Sequence, residues 1–200
     1  MTSRLNLLLL TLGVDETGKL LNEFKGITRL QKLIFLYERE EMPKSQREVY
    51  TFRPYKAGPF SKELYADIEF LENLGLVESV DVSTALPEEF IEDEFFAEET
   101  DEFDGITFET LMGGVQNSSP RNYDGRCFRL TEKGRAEVQR LLGDPTIDIC
   151  MDGIKKIKSK YSYLSLTDLL YYVYTKYPES ATESEIKEQV LTKRGKKWQR

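Results

Sequence analysis

Between Asp81 and Asp124 the chain carries 13 acidic side chains and a single basic one, Arg121, for a local net charge of −12. A compact core does not form around that density of like charge, so the fold has to be assembled from the flanks. Residues 1–80 are close to neutral at −1, and residues 125–200 carry +6, which leaves the 200-residue chain at −7. Pro87, Gly113-Gly114 and Asn117 to Pro120 mark the acidic stretch, about 83–120, as a long inserted connection. Its acids interleave with Phe90, Ile91, Phe95, Phe96 and Phe103, which plain acidic runs lack. That mixture suits a docking segment for a basic partner, or a cover over the chain's own basic part. It equally suits a solvated loop with a few aromatics tucked on the core.

The flanks show regular patterning. Leu5 to Leu12 reads as a first core helix: Asn6 and Thr11 interrupt the run, Asp15 and Glu16 follow, and no small-residue cleavage site ends it. Thr28-Arg-Leu-Gln31 reads as a capping box for an amphipathic helix over 28–41, with Leu30, Leu33, Ile34 and Tyr37 on its inner face. Val49 to Tyr55 alternates as a strand does, and Ala57-Gly58-Pro59 reads as a turn. Ser61 caps a second helix with Leu64, Ile68, Leu71 and Leu74 inward, and Gly75 ends it. Residues 76–82 and 125–130 read as the arms of a hairpin. Helices follow over 131–142, where Gly134 weakens the first turn, from Asp144 onward, over 165–177, and over 182–191 with a hydroxyl cap. The expected fold is therefore mainly α with a small β-hairpin, an α+β winged helix-turn-helix-like core with the acidic insertion in the wing. Residues 1–143 form that domain, and 144–200 form a C-terminal helical extension with a basic tail.

Composition excludes much chemistry. The chain has no histidine, which removes histidine triads, Cys2His2 zinc sites and imidazole acid–base schemes. Cys127 and Cys150 read as small core residues in a reduced, cytoplasmic protein. No phosphate-binding glycine loop occurs, and a calcium loop centred on Gly105 would place Leu111 where a bidentate Glu belongs. No stretch is long and apolar enough to span a membrane. The reading is of no catalytic residue, no metal and no cofactor; a carboxylate- and magnesium-dependent nuclease has the least support.

Thr28-Arg-Leu-Gln-Lys-Leu-Ile-Phe-Leu36 and Tyr55-Lys-Ala-Gly-Pro-Phe-Ser-Lys-Glu-Leu64 resemble the Lys-Leu-Gln-Lys-Leu and aromatic-x-x-Gly-Pro motifs of the Panacea (SocA-like antitoxin) family. They are similar also to a related prokaryotic group that reads Gly-Pro-Phe/Tyr-Ser-x-Glu-Leu followed by Leu-Gly-Leu, and Leu169 to Glu179 resembles that group's tail. The resemblance covers about 27–80 and 165–190 and does not account for the 81–124 insertion. It implies a mainly helical, non-enzymatic module that binds proteins such as toxins or chaperones, with a link to DNA regulation.

Two binding readings follow. In a winged helix, 61–74 would enter the DNA major groove. Here Lys62 stands against Glu63, Asp67, Glu69 and Glu72, a sign that phosphates repel. A protein partner, a toxin or a regulatory complex, is therefore favoured over DNA, with Tyr55, Gly58, Pro59, Phe60, Lys62, Glu69 and Glu72 as its contacts. The Gly-Pro-Phe corner also reads simply as turn chemistry before a helix. The DNA alternative would use Arg29, Lys32, Lys155, Lys156, Lys193, Arg194, Lys196 and Lys197, the last four around Trp198 in a basic tail. That tail also reads as a solvated terminus. A homodimer is compatible with either reading.

Overall fold

The leucine run after Arg4 forms helix α1 (Arg4–Gly13) in the computed structural model, which describes residues 3–43, 49–81 and 126–197. Ser3 caps it by accepting from Asn6 N at 3.1 Å. Leu7 to Gly13 are all buried, so from Leu7 onward the helix has no wet face and lies at the centre. Thr11 is buried with them and donates its hydroxyl to Leu7 O at 2.7 Å, which leaves no unsatisfied polar atom there.

After a short strand, β1 (Phe24–Lys25), comes α2 (Ile27–Glu40). The amphipathic reading understated it: every residue from Leu30 to Glu38 is buried. The capping box does not form. Gly26 holds the cap position at φ 76°, and no side chain caps the helix. Gln31 is instead committed elsewhere: it accepts from Ser61 N at 2.8 Å and its amide faces Ser61 O at 3.4 Å. A buried extended backbone needs those partners more than an exposed helix end does.

Residues 53–60 form a hairpin, β2 (Arg53–Tyr55) against β3 (Gly58–Phe60), with Arg53 opposite Phe60 and Tyr55 opposite Gly58. The strand is thus shorter than 49–55, and the turn is Lys56-Ala57, with Gly58 and Pro59 in the returning strand. Helix α3 (Lys62–Asn73) follows, burying Leu64, Asp67, Ile68 and Leu71 on one face, and Gly75 at φ 67° ends it. Ser61 occupies its cap position without capping it; the hydroxyl lies 3.4 Å from the Glu63 carboxylate instead.

The expected long-range hairpin is present. β4 (Val77–Asp81) pairs antiparallel with β5 (Arg126–Leu130), Val77 opposite Leu130 and Asp81 opposite Arg126. β1 adds to the other edge of β5, giving the sheet order β1-β5-β4. Helix α4 (Glu132–Leu142) is capped by Thr131, whose hydroxyl accepts from Gly134 N at 3.0 Å. Gly134 is there for space: a Cβ would collide with the backbone carbonyl of Leu76.

A 3-10 turn (Pro145–Ile147) leads into α5 (Asp148–Tyr161) and then α6 (Leu166–Lys176), capped by Ser165. The helix expected over 182–191 begins later, as α7 (Lys187–Lys197), because Ser184 and Glu185 are first drawn to the hairpin turn. Ser184 Oγ and Glu185 N each donate to Lys56 O, at 3.0 Å. One hydrophobic core joins α1 and α2 to Ile154, Leu169, Val173 and Val190, so residues from both 1–143 and 144–200 contribute to it. The chain is mainly helical with a small antiparallel sheet, and no helix among the described residues is long and apolar enough to cross a membrane. The 83–120 insertion lies outside the described residues.

Candidate functional site

The two motif segments are one structural unit. Gln31 holds Ser61, and Lys32, the next residue on α2, donates to Pro59 O at 3.1 Å. Gly58, at φ 86°, lies against the Tyr174 ring, where a Cβ would come within 2.6 Å of Cε1. Tyr174 Oη in turn lies 2.9 Å from Ser184 Oγ, and burial pushes its phenol up to about 12. Gly58 and Pro59 are buried, so they are not surface contacts for a partner. They fix the corner, and the rings beside them are what it presents.

Those rings form a half-buried ladder. Tyr55 and Phe60 lie 5.0 Å apart by ring centroids, and Phe60 and Tyr65 5.4 Å. Helix α3 also carries an exposed stripe. Lys62 and Ala66 are exposed there, followed by Phe70 at 48% and Leu74 at 41% exposure, an outward stripe at four-residue spacing. The acids of α3 are not equivalent. Asp67 is buried and bound bidentately by Arg4 at 2.6 and 2.8 Å, with the Tyr50 hydroxyl at 2.9 Å. Glu63 accepts from Thr51 N at 2.7 Å, and Glu72 from Ser79 N at 3.1 Å. Glu69 has no partner among the described residues and flanks the stripe. The acidic face counted from sequence is therefore smaller than four carboxylates, and it is more apolar.

The basic candidates whose side chains are described do not gather on one surface. Arg29 donates to Leu164 O at 2.9 Å. Lys32 is fully buried, and that burial pushes its amine down to about 7; it is not available to a phosphate. Lys156 is exposed but ion-paired with Glu41 at 3.5 Å, and Lys160 with Glu41 at 3.3 Å and Glu40 at 3.6 Å. Lys155 is half-buried. Lys158, on the same helix, is buried against Val14 O with its amine 5.2 Å from the Phe24 ring centre. Burial pushes it down to about 8 against the opposing pull of Asp15 and Glu16. Lys193, Arg194, Lys196 and Lys197 belong to α7 by backbone; their side chains, with Trp198, lie outside the described part.

Two clusters were missed in the sequence. One is Arg4–Tyr50–Asp67. Its signal was present, since Asp67 sits at the inward i+3 position of the Leu64–Ile68–Leu71 face. The other surrounds Glu40 at the end of α2. Its carboxylate lies 2.9 Å from Tyr161 Oη, 2.9 Å from Tyr172 Oη, 3.3 Å from Tyr177 Oη and 2.8 Å from Lys176 Nζ. Burial raises the Glu40 pKa, but the bonds from Lys176, Tyr161 and Tyr172 outweigh it and hold the group below its ordinary range. This cluster fastens α2 to α5 and α6. Among the described residues no three Asp, Glu or Cys side chains converge in a metal-binding group.

Comparison with known proteins finds no matching family model, no matching curated protein and no matching solved structure.

Proposed function

We propose that the chain is a non-catalytic regulatory module of prokaryotic, antitoxin-like type, which acts by binding another protein through a winged-helix-like domain. The element order α1-β1-α2-α3-β4-β5 with sheet order β1-β5-β4 supports the winged-helix reading. The hairpin β2-β3 is then an addition between α2 and α3. The observation that carries the functional reading is the outer face of α3. A groove-reading helix presents donors and cations there. This one presents Ala66, Phe70 and Leu74 beside Glu69, with Lys62 at its start. The fixed ladder Tyr55–Phe60–Tyr65, at the start of α3, adds rigid aromatic anchors for a partner. Cys127 and Cys150 are buried and form no disulfide, which fits a cytoplasmic setting.

The test is capture of a partner on the immobilised chain from an extract of its own host. Glu69→Lys and Phe60→Ala each lower recovery about tenfold, the scale of a single lost anchor. Glu72→Lys is a poorer probe, because Glu72 also holds Ser79 N. Unchanged recovery with both variants contradicts the proposed surface.

A DNA-binding regulator is the second reading, and the +6 charge over 125–200 favours it. It would act through Lys155, Lys156 and the cations of α7. Removing 193–200 would then lower DNA affinity and flatten its salt dependence.

A further inference from the structure

We infer that two copies of the chain pair through the outer face of α3, antiparallel about a two-fold axis, with Lys62 of each copy set between Glu69 and Phe70 of the other. Lys62 is exposed and Glu69 half-buried, and the two lie along one side of the helix. Neither has a hydrogen bond or ion pair among the described residues. Seven residues separate them, ~10 Å along the axis, so the pair cannot close within one helix as an i,i+4 pair does.

Opposite charges left open at that spacing complement themselves. A two-fold axis that crosses α3 midway between them, beside Ala66, exchanges positions 62 and 69, so one rotation closes two ion pairs. Ala66 is exposed, and its single methyl lets the two helices approach closely there. Phe70 follows Glu69 and is 48% exposed, so the arriving lysine meets a carboxylate with its amine and an open ring with its stem. A parallel pairing would set Lys62 against Lys62 and Glu69 against Glu69. Antiparallel pairing brings the hairpin end, with exposed Arg53, toward the other copy's end of α3. Exposed Glu78 and Lys133 offset each other there, and Lys133 also donates to Leu74 O at 2.8 Å. The signs on this face are mixed, which selects neither a uniformly basic nor a uniformly acidic occupant, but they match a copy of themselves. The contact is small: α3 offers a strip ~18 Å long and ~10 Å wide, well short of the ~800 Å² per partner of a standard interface. The net charge of −7 also opposes association. The dimer is therefore weak and reversible. It covers the face that the protein-binding reading gives to a partner, so a partner has to displace it.

The experiment is sedimentation equilibrium of the purified full chain from micromolar to near-millimolar concentration. The expected result is a monomer–dimer equilibrium. Lys62→Glu alone and Glu69→Lys alone each weaken it at least tenfold, because each sets like charges face to face. Mixing those two variants restores the dimer, since every pair then joins one glutamate to one lysine. The double variant Lys62→Glu/Glu69→Lys restores it as well. Neither side chain belongs to the core, and circular dichroism matching the wild-type chain separates lost association from lost fold. A wild-type chain that stays monomeric throughout overturns the inference. Self-association that both single reversals leave unchanged, or that mixing them does not restore, places the contact elsewhere and also overturns it. Partner capture from the host extract is read separately, so failure of the dimer and failure of the protein-binding reading are distinguishable.

Discussion

Lys32 has the most displaced amine among the described lysines. Its amine is wholly buried, meets Pro59 O, and titrates near 7 against 10.5 for a free lysine. Between those values the unfolded chain holds a proton that the folded chain has released. Stability therefore rises with pH from about 7 to about 10.5 through this group; below 7 both states are charged and the burial penalty is complete. Lys158 acts with the same sign from about 8 upward. In Lys32→Met, urea unfolding from pH 7 to 9.5 is expected to show an advantage that narrows as pH rises, by at most ~1.4 kcal/mol per pH unit. A stability gap independent of pH contradicts the assignment. Nothing local in the sequence marks Lys32, because its burial depends on a hairpin 27 residues away. Asp67 was counted from sequence among the groove-facing acids, although its place three residues after Leu64 puts it on the inward face; its partners, Arg4 and Tyr50, required the fold.

Among the elements, those with strong periodicity were readable and those made by tertiary contact were not. α1, α3, α4, β4 and β5 follow from leucine spacing, caps and alternation. The two-residue β1 exists only because β5 offers it an edge, and the start of α7 is set by the Lys56 carbonyl. Gly134 separates the two kinds of argument. Helix propensity says that Gly134→Ala gains ~1 kcal/mol. The Leu76 carbonyl occupies the place of the new methyl, so the variant is expected to lose ~1–3 kcal/mol by thermal unfolding, and a gain would refute the close approach. At the α2–α5–α6 junction, Glu40→Gln removes the charge that three tyrosines and Lys176 share. A loss of ~1–3 kcal/mol at pH 7 is expected. Glu40 is held below its ordinary value of 4.5, so its contribution is present above that pH and fades as pH falls through the depressed folded value. The variant's unfolding curve from pH 7 to 3 lacks that decline; an identical decline in both proteins would place the acid sensitivity elsewhere.

For the whole molecule, the distribution of charge was legible from the sequence and the distribution of availability was not. Lys155 and Lys156 of α5 were read as phosphate contacts, yet Lys155 is half-buried, Lys156 is matched to Glu41 across the α2–α5 contact as its neighbour Lys160 is to Glu40 and Glu41, and Lys158 is inside. Likewise the Gly-Pro corner looked like a contact, and its function is to hold Tyr55, Phe60 and α3 in place. What remains outward on α3 is Lys62, Ala66, Phe70, Asn73 and Leu74 beside half-buried Glu69, the surface on which the proposal of a protein partner over DNA rests. Fluorescence anisotropy of labelled duplex DNA titrated with the intact chain, at low and then moderate salt, tests that claim most directly. No saturable binding at either salt concentration is the predicted result; binding that falls steeply with salt and weakens in Lys62→Glu would place α3 on DNA and contradict it.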